Sequence, residues 1–296
     1  MKSPALEQLI AGMRAGGPDL SDPPSKVRAD FSAMVGAAPV APDIQFESLV
    51  LGGVPALQSL TPGARSDQTL LYLHGGAFVI GSAQDYCCIS AELGRAAGVR
   101  AVSIDYRLAP EHPFPAAVDD AVAAYRALLS AGHAPSQIVI AGDSAGGGLT
   151  VSMLLAARDA GLPLPAAALL LSPWVDLTCQ AGSMTTKAAD DPVLNRPDLL
   201  SMAALYLQGQ SATAPLASPL QADLRGLPPL LVQVGTAEIL LEDATRLATA
   251  AAAADVRVQL SVWPDMIHDW HFFSFLLPEG REAIAEAGAF LRHQLR

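Results

Sequence analysis

Gly142-Asp143-Ser144-Ala145-Gly146 follows the apolar run Gln137-Ile138-Val139-Ile140-Ala141 and precedes a helix-like run from Leu149 to Ala160. Strand, tight turn and helix in that order put Ser144 at the apex of the turn, with glycines where a side chain would strike the neighbouring strand or helix. A hydroxyl presented in this way at the carboxyl edge of a sheet can attack an acyl carbon. Upstream, the strand-like Leu70-Leu71-Tyr72-Leu73 runs into His74-Gly75-Gly76-Ala77-Phe78. The attack leaves negative charge on the former carbonyl oxygen, and backbone N–H groups of a glycine loop can approach that oxygen closely. Gly75, Gly76 and Ala145 are the donors this arrangement suggests.

A serine hydroxyl is a weak nucleophile at neutral pH, so it needs a base, and the base needs a group to orient it. Of six histidines, His74 belongs to the glycine loop, His112 lies in a proline-rich turn, and His133 and His293 are in segments that read as exposed. His268 follows the last strand directly, in Trp263-Pro264-Asp265-Met266-Ile267-His268-Asp269-Trp270, and is the expected base. His271 is expected on the next helix, packed or solvated. The acid should lie between serine and histidine in chain order, after the strand Leu230 to Val234, where Gly235-Thr236-Ala237-Glu238 offers Glu238. Glu242 and Asp243 stand one helical turn further on, where acidic residues also suit a helix N-terminus, and Asp243 is the alternative acid.

These residues need a sheet whose carboxyl edge gathers several loops. Strand candidates are Phe46 to Val50, Ala56 to Leu60, Leu70 to Leu73, Ala101 to Ile104, Ile138 to Ala141, Ala167 to Leu171, Leu230 to Val234 and Val256 to Val262, the first two forming a hairpin near Gly52-Gly53. Helical stretches at Ala83 to Ala97, Ala116 to Ser130, Leu149 to Ala160, Glu242 to Ala253 and Glu279 to Leu295 alternate with the later strands. The alternation predicts an α/β fold with a mostly parallel, helix-covered sheet of eight strands. Two segments stand outside it, residues 1–41, with helical patches at Leu6 to Met13 and Lys26 to Val35, and residues from about 179 to 219. They are expected to form a helical cap over the sheet edge, on a catalytic domain of residues 42–178 and 220–296. Met34, Leu199 and Met202 suit an apolar roof, and Phe78, Leu205, Tyr206, Ile239 and Ile267 are the apolar candidates for substrate contact.

The 296 residues are 51% hydrophobic, enough for one large core. A formal charge of −11, from 18 Lys and Arg against 29 Asp and Glu, argues against nucleic acid or anionic lipid as partner. No apolar run approaches the roughly 18 residues of a membrane span, and the first 17 residues lack the apolar centre of a secretory signal. Cys87, Cys88 and Cys179 form neither metal spacing nor a disulfide framework, which fits a reducing cytoplasm. Cys87 and Cys88 are expected to begin a helix packed under the His74 loop. No metal or cofactor is called for.

The two glycine motifs, together with Asp105-Tyr106-Arg107-Leu108-Ala109-Pro110-Glu111-His112-Pro113-Phe114-Pro115-Ala116, Ser172-Pro173-Trp174-Val175-Asp176-Leu177 and the ending around His268, resemble the bacterial hormone-sensitive-lipase-like carboxylesterases of the α/β-hydrolase fold. The resemblance implies a triad of Ser144, Glu238 and His268, an oxyanion hole at Gly75, Gly76 and Ala145, and hydrolysis of short- to medium-chain esters of small alcohols through an acyl-enzyme. It also implies a homodimer. Ala77 stands where many relatives have a third glycine, and Glu238 where most have aspartate. Thioester, amide or carbamate hydrolysis would use the same residues. A non-catalytic ligand-binding module, like the related plant gibberellin receptors, would lack the histidine that stands here at position 268. The Asp105 to Pro115 stretch reads as scaffold, with Arg107 and Glu111 as an expected pair, and Asp143 as an anchor of the elbow.

Overall fold

A computed structural model describes residues 2–20, 22–36 and 38–295. Met1, Ser21 and Ala37 of the expected cap segment, and Arg296 of the expected catalytic domain, lie outside the described residues. Eight strands form one sheet: β1 (Gln45–Leu51), β2 (Val54–Leu60), β3 (Arg65–Leu73), β4 (Val99–Ile104), β5 (Ile138–Asp143), β6 (Ala167–Leu171), β7 (Leu230–Gly235) and β8 (Val258–Trp263). Their spatial order is β1-β2-β4-β3-β5-β6-β7-β8, with β1, β2 and β4 paired antiparallel and every other pair parallel. The helices are α1 (Pro4–Ala15), α2 (Pro24–Val35), α3 (Cys87–Ala97), α4 (Ala116–Ser130), α5 (Ser144–Asp159), α6 (Ser183–Thr186), α7 (Arg196–Leu207), α8 (Leu241–Ala253) and α9 (Pro278–Gln294).

The central strands are apolar on both faces because both faces are covered. On β3, Leu70 and Tyr72 join the cluster that holds Ile89 and Leu93 of α3 and Ile284 and Leu291 of α9. Leu71 and Leu73, one residue out of phase, join the cluster of Tyr125 on α4, Leu154 on α5 and Leu247 on α8. This period-two split makes each residue from Leu70 to Leu73 a core residue, each fully buried leucine contributing about 1.5–3 kcal/mol.

The strand order positions the chemistry. The chain runs from β3 out to β4 and then crosses back to β5, so β3 and β5 lie side by side and Leu73 pairs with Gly142. Loops leaving two parallel neighbours at a reversal of strand order open a crevice at their carboxyl ends. The glycine loop after β3 and the Ser144 turn after β5 meet there. At the other side of β5, β6, β7 and β8 run in parallel sequence order and deliver the loops after Leu171, Gly235 and Trp263 to the same edge.

The helices outside the alternation attach to these loops. Leu6 and Ile10 of α1 pack with Ala237, Met266, Ile267 and Trp270. Arg28 of α2 donates to the carbonyls of Val79 and Ala109 and pairs with Glu111. The α6–α7 segment is tied down by Ser183 Oγ on the Ile239 carbonyl, by Asp191 accepting from the Ile239 amide, and by the Phe114 amide on the Tyr206 carbonyl. The expected Arg107–Glu111 pair is not formed. Arg107 pairs with Asp120, one helical turn into α4, and Glu111 with Arg28, because helix α2 reaches the loop before Arg107 can turn back to it.

Candidate active site

Ser144 directly follows β5 and starts α5 with φ +50, in the left-handed region that a non-glycine residue adopts only under constraint. The constraint is the close packing of the turn. A Cβ on Gly146 would run into the carbonyls of Leu73 and His74, so the helix can start directly beneath β3 only if that position is glycine. The Trp174 amide donates to the Ser144 carbonyl and fixes the turn from the β6 side. Ser144 retains 7% of its surface, and the N-terminal end of α5 points its dipole at it.

The loop after β3 folds over the turn. Gly76 takes φ +98, and Ala77 and Phe78 follow it at φ +52 and +63. His74 is sandwiched between the rings of Tyr106 and Tyr86, with centroids at 4.2 and 5.2 Å, and its Nδ1 contacts the Gly75 carbonyl at 2.8 Å. Burial lowers this histidine to about 4, so it is neutral. Asp143 anchors both motifs together. Its Oδ1 accepts from Tyr72 Oη at 2.6 Å and from the Gly75 amide at 3.0 Å. The Gly75 N–H is therefore engaged inside the protein. The Gly76 amide makes no hydrogen bond among the described residues, and the Ala145 amide, in the first turn of α5, has no intrahelical acceptor.

At the far side of the edge, Glu238 and His268 are in contact. His268 Nδ1 is 2.9 Å from Glu238 Oε2, and both side chains are buried. The other carboxylate oxygen, Oε1, accepts from the Gly235 amide at 2.7 Å and from Ser172 Oγ at 2.8 Å. Burial pushes the Glu238 carboxyl above its usual range, against the pull of His268. Asp243 is employed elsewhere: its Oδ2 accepts from the amides of Val175 and Asp176. Burial pushes it up to about 7. His271 lies in a short 3-10 turn, Trp270–Phe273, rather than on α9; it is buried, contacts Gln233 Oε1 at 3.0 Å, and is lowered to about 3 by burial.

Of the apolar candidates, Phe78 and Tyr206 are stacked with centroids 3.9 Å apart and planes 6° from parallel, and Phe114 meets Tyr206 edge-on. Ile239 belongs to the same core cluster, with half-buried Leu205 packed against it. Ile267 does not join them. It packs with Leu6 and Ile10 of α1 and with Trp270, because the residue before His268 points away from the side that the histidine faces. Two contributors were not anticipated from the residue pattern. Ser172, at φ +41 directly after β6, holds the second oxygen of Glu238, and Asp269 lies against His268. The position of Ser172 at the carboxyl end of an apolar strand was the available signal for it.

Comparison with known proteins gives the family of the chain. A family model described as alpha/beta hydrolase fold matches residues 70–272. An acetyl-hydrolase of Streptomyces hygroscopicus is 53% identical over 231 residues, which is 78% of this chain and 77% of that protein. The crystal structure of an esterase from the bacterial hormone-sensitive lipase family superposes with a TM-score of 0.97 at 52% identity, covering 100% of both chains. A structure of EstE5 soaked with p-nitrophenyl butyrate gives a TM-score of 0.95 at 44% identity, covering 99% of each. By sequence and by fold, the chain belongs to the hormone-sensitive-lipase-like esterases of the α/β-hydrolase family.

Proposed function

We propose that the protein is a serine carboxylesterase in which Ser144 is the nucleophile, His268 the base and Glu238 the group that orients it. The observation that carries this reading is the buried 2.9 Å contact between His268 Nδ1 and Glu238 Oε2, at the same sheet edge as a serine held at φ +50. His268 Nε2 takes the proton from Ser144 Oγ as Oγ bonds to the ester carbonyl carbon. The tetrahedral oxyanion collapses, the alcohol leaves with the proton from Nε2, and water activated by the same nitrogen then cleaves the acyl-enzyme. Gly76 and Ala145 supply the oxyanion donors, and Gly75 contributes only by sharing the N–H it gives to Asp143. Each full donor is worth about 2.7–4 kcal/mol in the transition state.

The substrates are esters with short to medium acyl chains and small alcohols. Supporting this are the narrow access, with Ser144 and His268 only 7% and 5% exposed, and the Phe78–Tyr206 stack that fills space beside the glycine loop. The relative named acetyl-hydrolase and the EstE5 structure soaked with a butyrate ester point the same way. Residues 1–41 and about 179–219 act as the cap, since α1, α2, α6 and α7 attach to the loops that carry the site. Among the described residues no helix is long and apolar enough to cross a membrane. A cytoplasmic homodimer is part of the same proposal.

The test is hydrolysis of p-nitrophenyl esters from acetyl to palmitoyl by wild type and Ser144→Ala. Rates peaking at short chains and falling by roughly five to six orders of magnitude in the variant support the proposal. A Ser144→Ala protein that hydrolyses at the wild-type rate removes it.

A further inference from the structure

His268 has a carboxylate on each side of its ring. Beyond Glu238 on Nδ1, Asp269 Oδ2 lies 3.0 Å from Nε2, the nitrogen that must receive the serine proton. Asp269 is held there by its backbone. It takes φ +52, which Asp and Asn tolerate better than other side-chain-bearing residues, and this turn folds its carboxylate back over the ring of its own neighbour. Its side chain is largely buried, and Oδ1 has no hydrogen-bond partner among the described residues. A buried carboxylate with one unpartnered oxygen is costly unless an adjacent positive charge compensates it. A protonated His268 ring, 3.0 Å away, would supply that charge.

Resting on the triad reading above, we propose that Asp269 is a positioning residue that keeps His268 charged in the resting enzyme through Nε2, so that Ser144 is activated only in molecules where this ion pair has given up its proton. The other titratable groups facing His268 are Glu238 from the loop after β7, Asp143 from the end of β5, Asp191 from the segment before α7, and His271 from the following turn. The three carboxylates favour the imidazolium, whereas His271 stays neutral. Burial alone would lower His268, but the Asp269 and Glu238 carboxylates outweigh it and hold the ring well above its usual range. Asp269 touches the same atom as the reacting proton, so its charge bears directly on when the base becomes available.

The test is the pH dependence of kcat/KM for p-nitrophenyl butyrate in wild type and Asp269→Asn, because this parameter reports ionisations of the free enzyme. An opposite charge this close shifts a pKa by about one unit or more, so the acid limb of Asp269→Asn should move to lower pH by at least that amount, each profile being scaled to its own plateau. Below the limb the scaled rate should then exceed that of wild type about tenfold. Superimposable limbs, an upward shift, or an equal loss of rate at every pH with the limb in place would overturn the proposal. Asp269→Gly, which suits the positive φ, serves if the asparagine variant does not fold. Failure of the triad reading would show separately, as activity surviving in Ser144→Ala.

Discussion

At φ +50 Ser144 carries about 1–2 kcal/mol of backbone strain, offset by the packing of Gly146 beneath β3 and by the Trp174 amide on its carbonyl. That strain holds the hydroxyl out of the helix and at the sheet edge, beside the Gly76 and Ala145 amides that are proposed as oxyanion donors. Glu238 and Asp243, the two acids that follow β7 in the chain, differ in what they touch, the first meeting His268 and the second the Val175 and Asp176 amides, and the difference predicts different phenotypes. Glu238→Gln keeps a hydrogen bond to His268 but loses the charge opposite the imidazolium and can select the wrong tautomer. Its kcat should fall by about 10⁴-fold, as when a triad aspartate becomes asparagine. Asp243→Asn should keep kcat/KM within about threefold, because asparagine can still accept from the Val175 and Asp176 amides. Steady-state kinetics of the two variants decide the matter, and the reverse pattern would make Asp243 the acid.

At the scale of elements, the Phe78–Tyr206 stack joins the loop after β3 to α7, so one ring pair ties the proposed oxyanion loop to the proposed cap. Tyr206→Ala should cost about 3–5 kcal/mol of stability and widen the space beside Ser144. The expected result is a lower thermal midpoint together with a shift of the preferred acyl chain toward longer esters; an unchanged chain-length profile would separate the stack from specificity. The central strands were legible in the sequence because burial on both faces writes them as unbroken apolar runs such as Ala167–Leu171, whereas the exposed outer strands β1 and β8 showed through β-branched and apolar residues interleaved with polar ones. Helix α5 was harder. It begins at Ser144, five residues before the helix-like pattern starts at Leu149, because three consecutive glycines, Gly146 to Gly148, are poor helix formers. Tertiary packing overrides that propensity, since those positions press against the backbones of Leu73, Pro173 and Trp174. The triad could be proposed from motif order alone. The partners of Arg107, Glu238 Oε1 and His268 Nε2 could not, since Asp120, Ser172 and Asp269 acquire their roles only when strands and helices distant in sequence, or a left-handed turn, bring them into place.

For the molecule as a whole, buried histidines and buried carboxylates pull the response to acid in opposite directions. His74 and His271 are neutral in the folded state, lowered to about 4 and about 3, whereas an unfolded chain would protonate them near 6.5. At these two sites the unfolded state therefore binds more protons between pH 6.5 and about 4, and their contribution to stability falls as pH falls through that window, by about 2–3 kcal/mol for each histidine at pH 4.5. His268 works in the opposite sense. Its folded-state pKa is raised, so its contribution is fully present below about 6.5 and is lost as pH climbs through the raised value. Asp243, pushed up to about 7, holds a proton in the folded state over the same range and offsets part of the loss, so the prediction is a comparison: on going from pH 6.5 to 4.5 the thermal midpoint of His271→Asn should change more favourably than that of wild type. Equal slopes in the two proteins would mean that His271 is not a source of the acid sensitivity.

The central claim is that Ser144 carries the acyl group, and the most direct measurement is mass-spectrometric mapping of the protein after reaction with a fluorophosphonate, which esterifies an activated serine. A single adduct on the peptide containing Ser144, absent from Ser144→Ala and matched by complete loss of esterase activity, is the predicted result. Full esterase activity in a protein whose Ser144 is modified, or inactivation with the adduct on another residue, would contradict it.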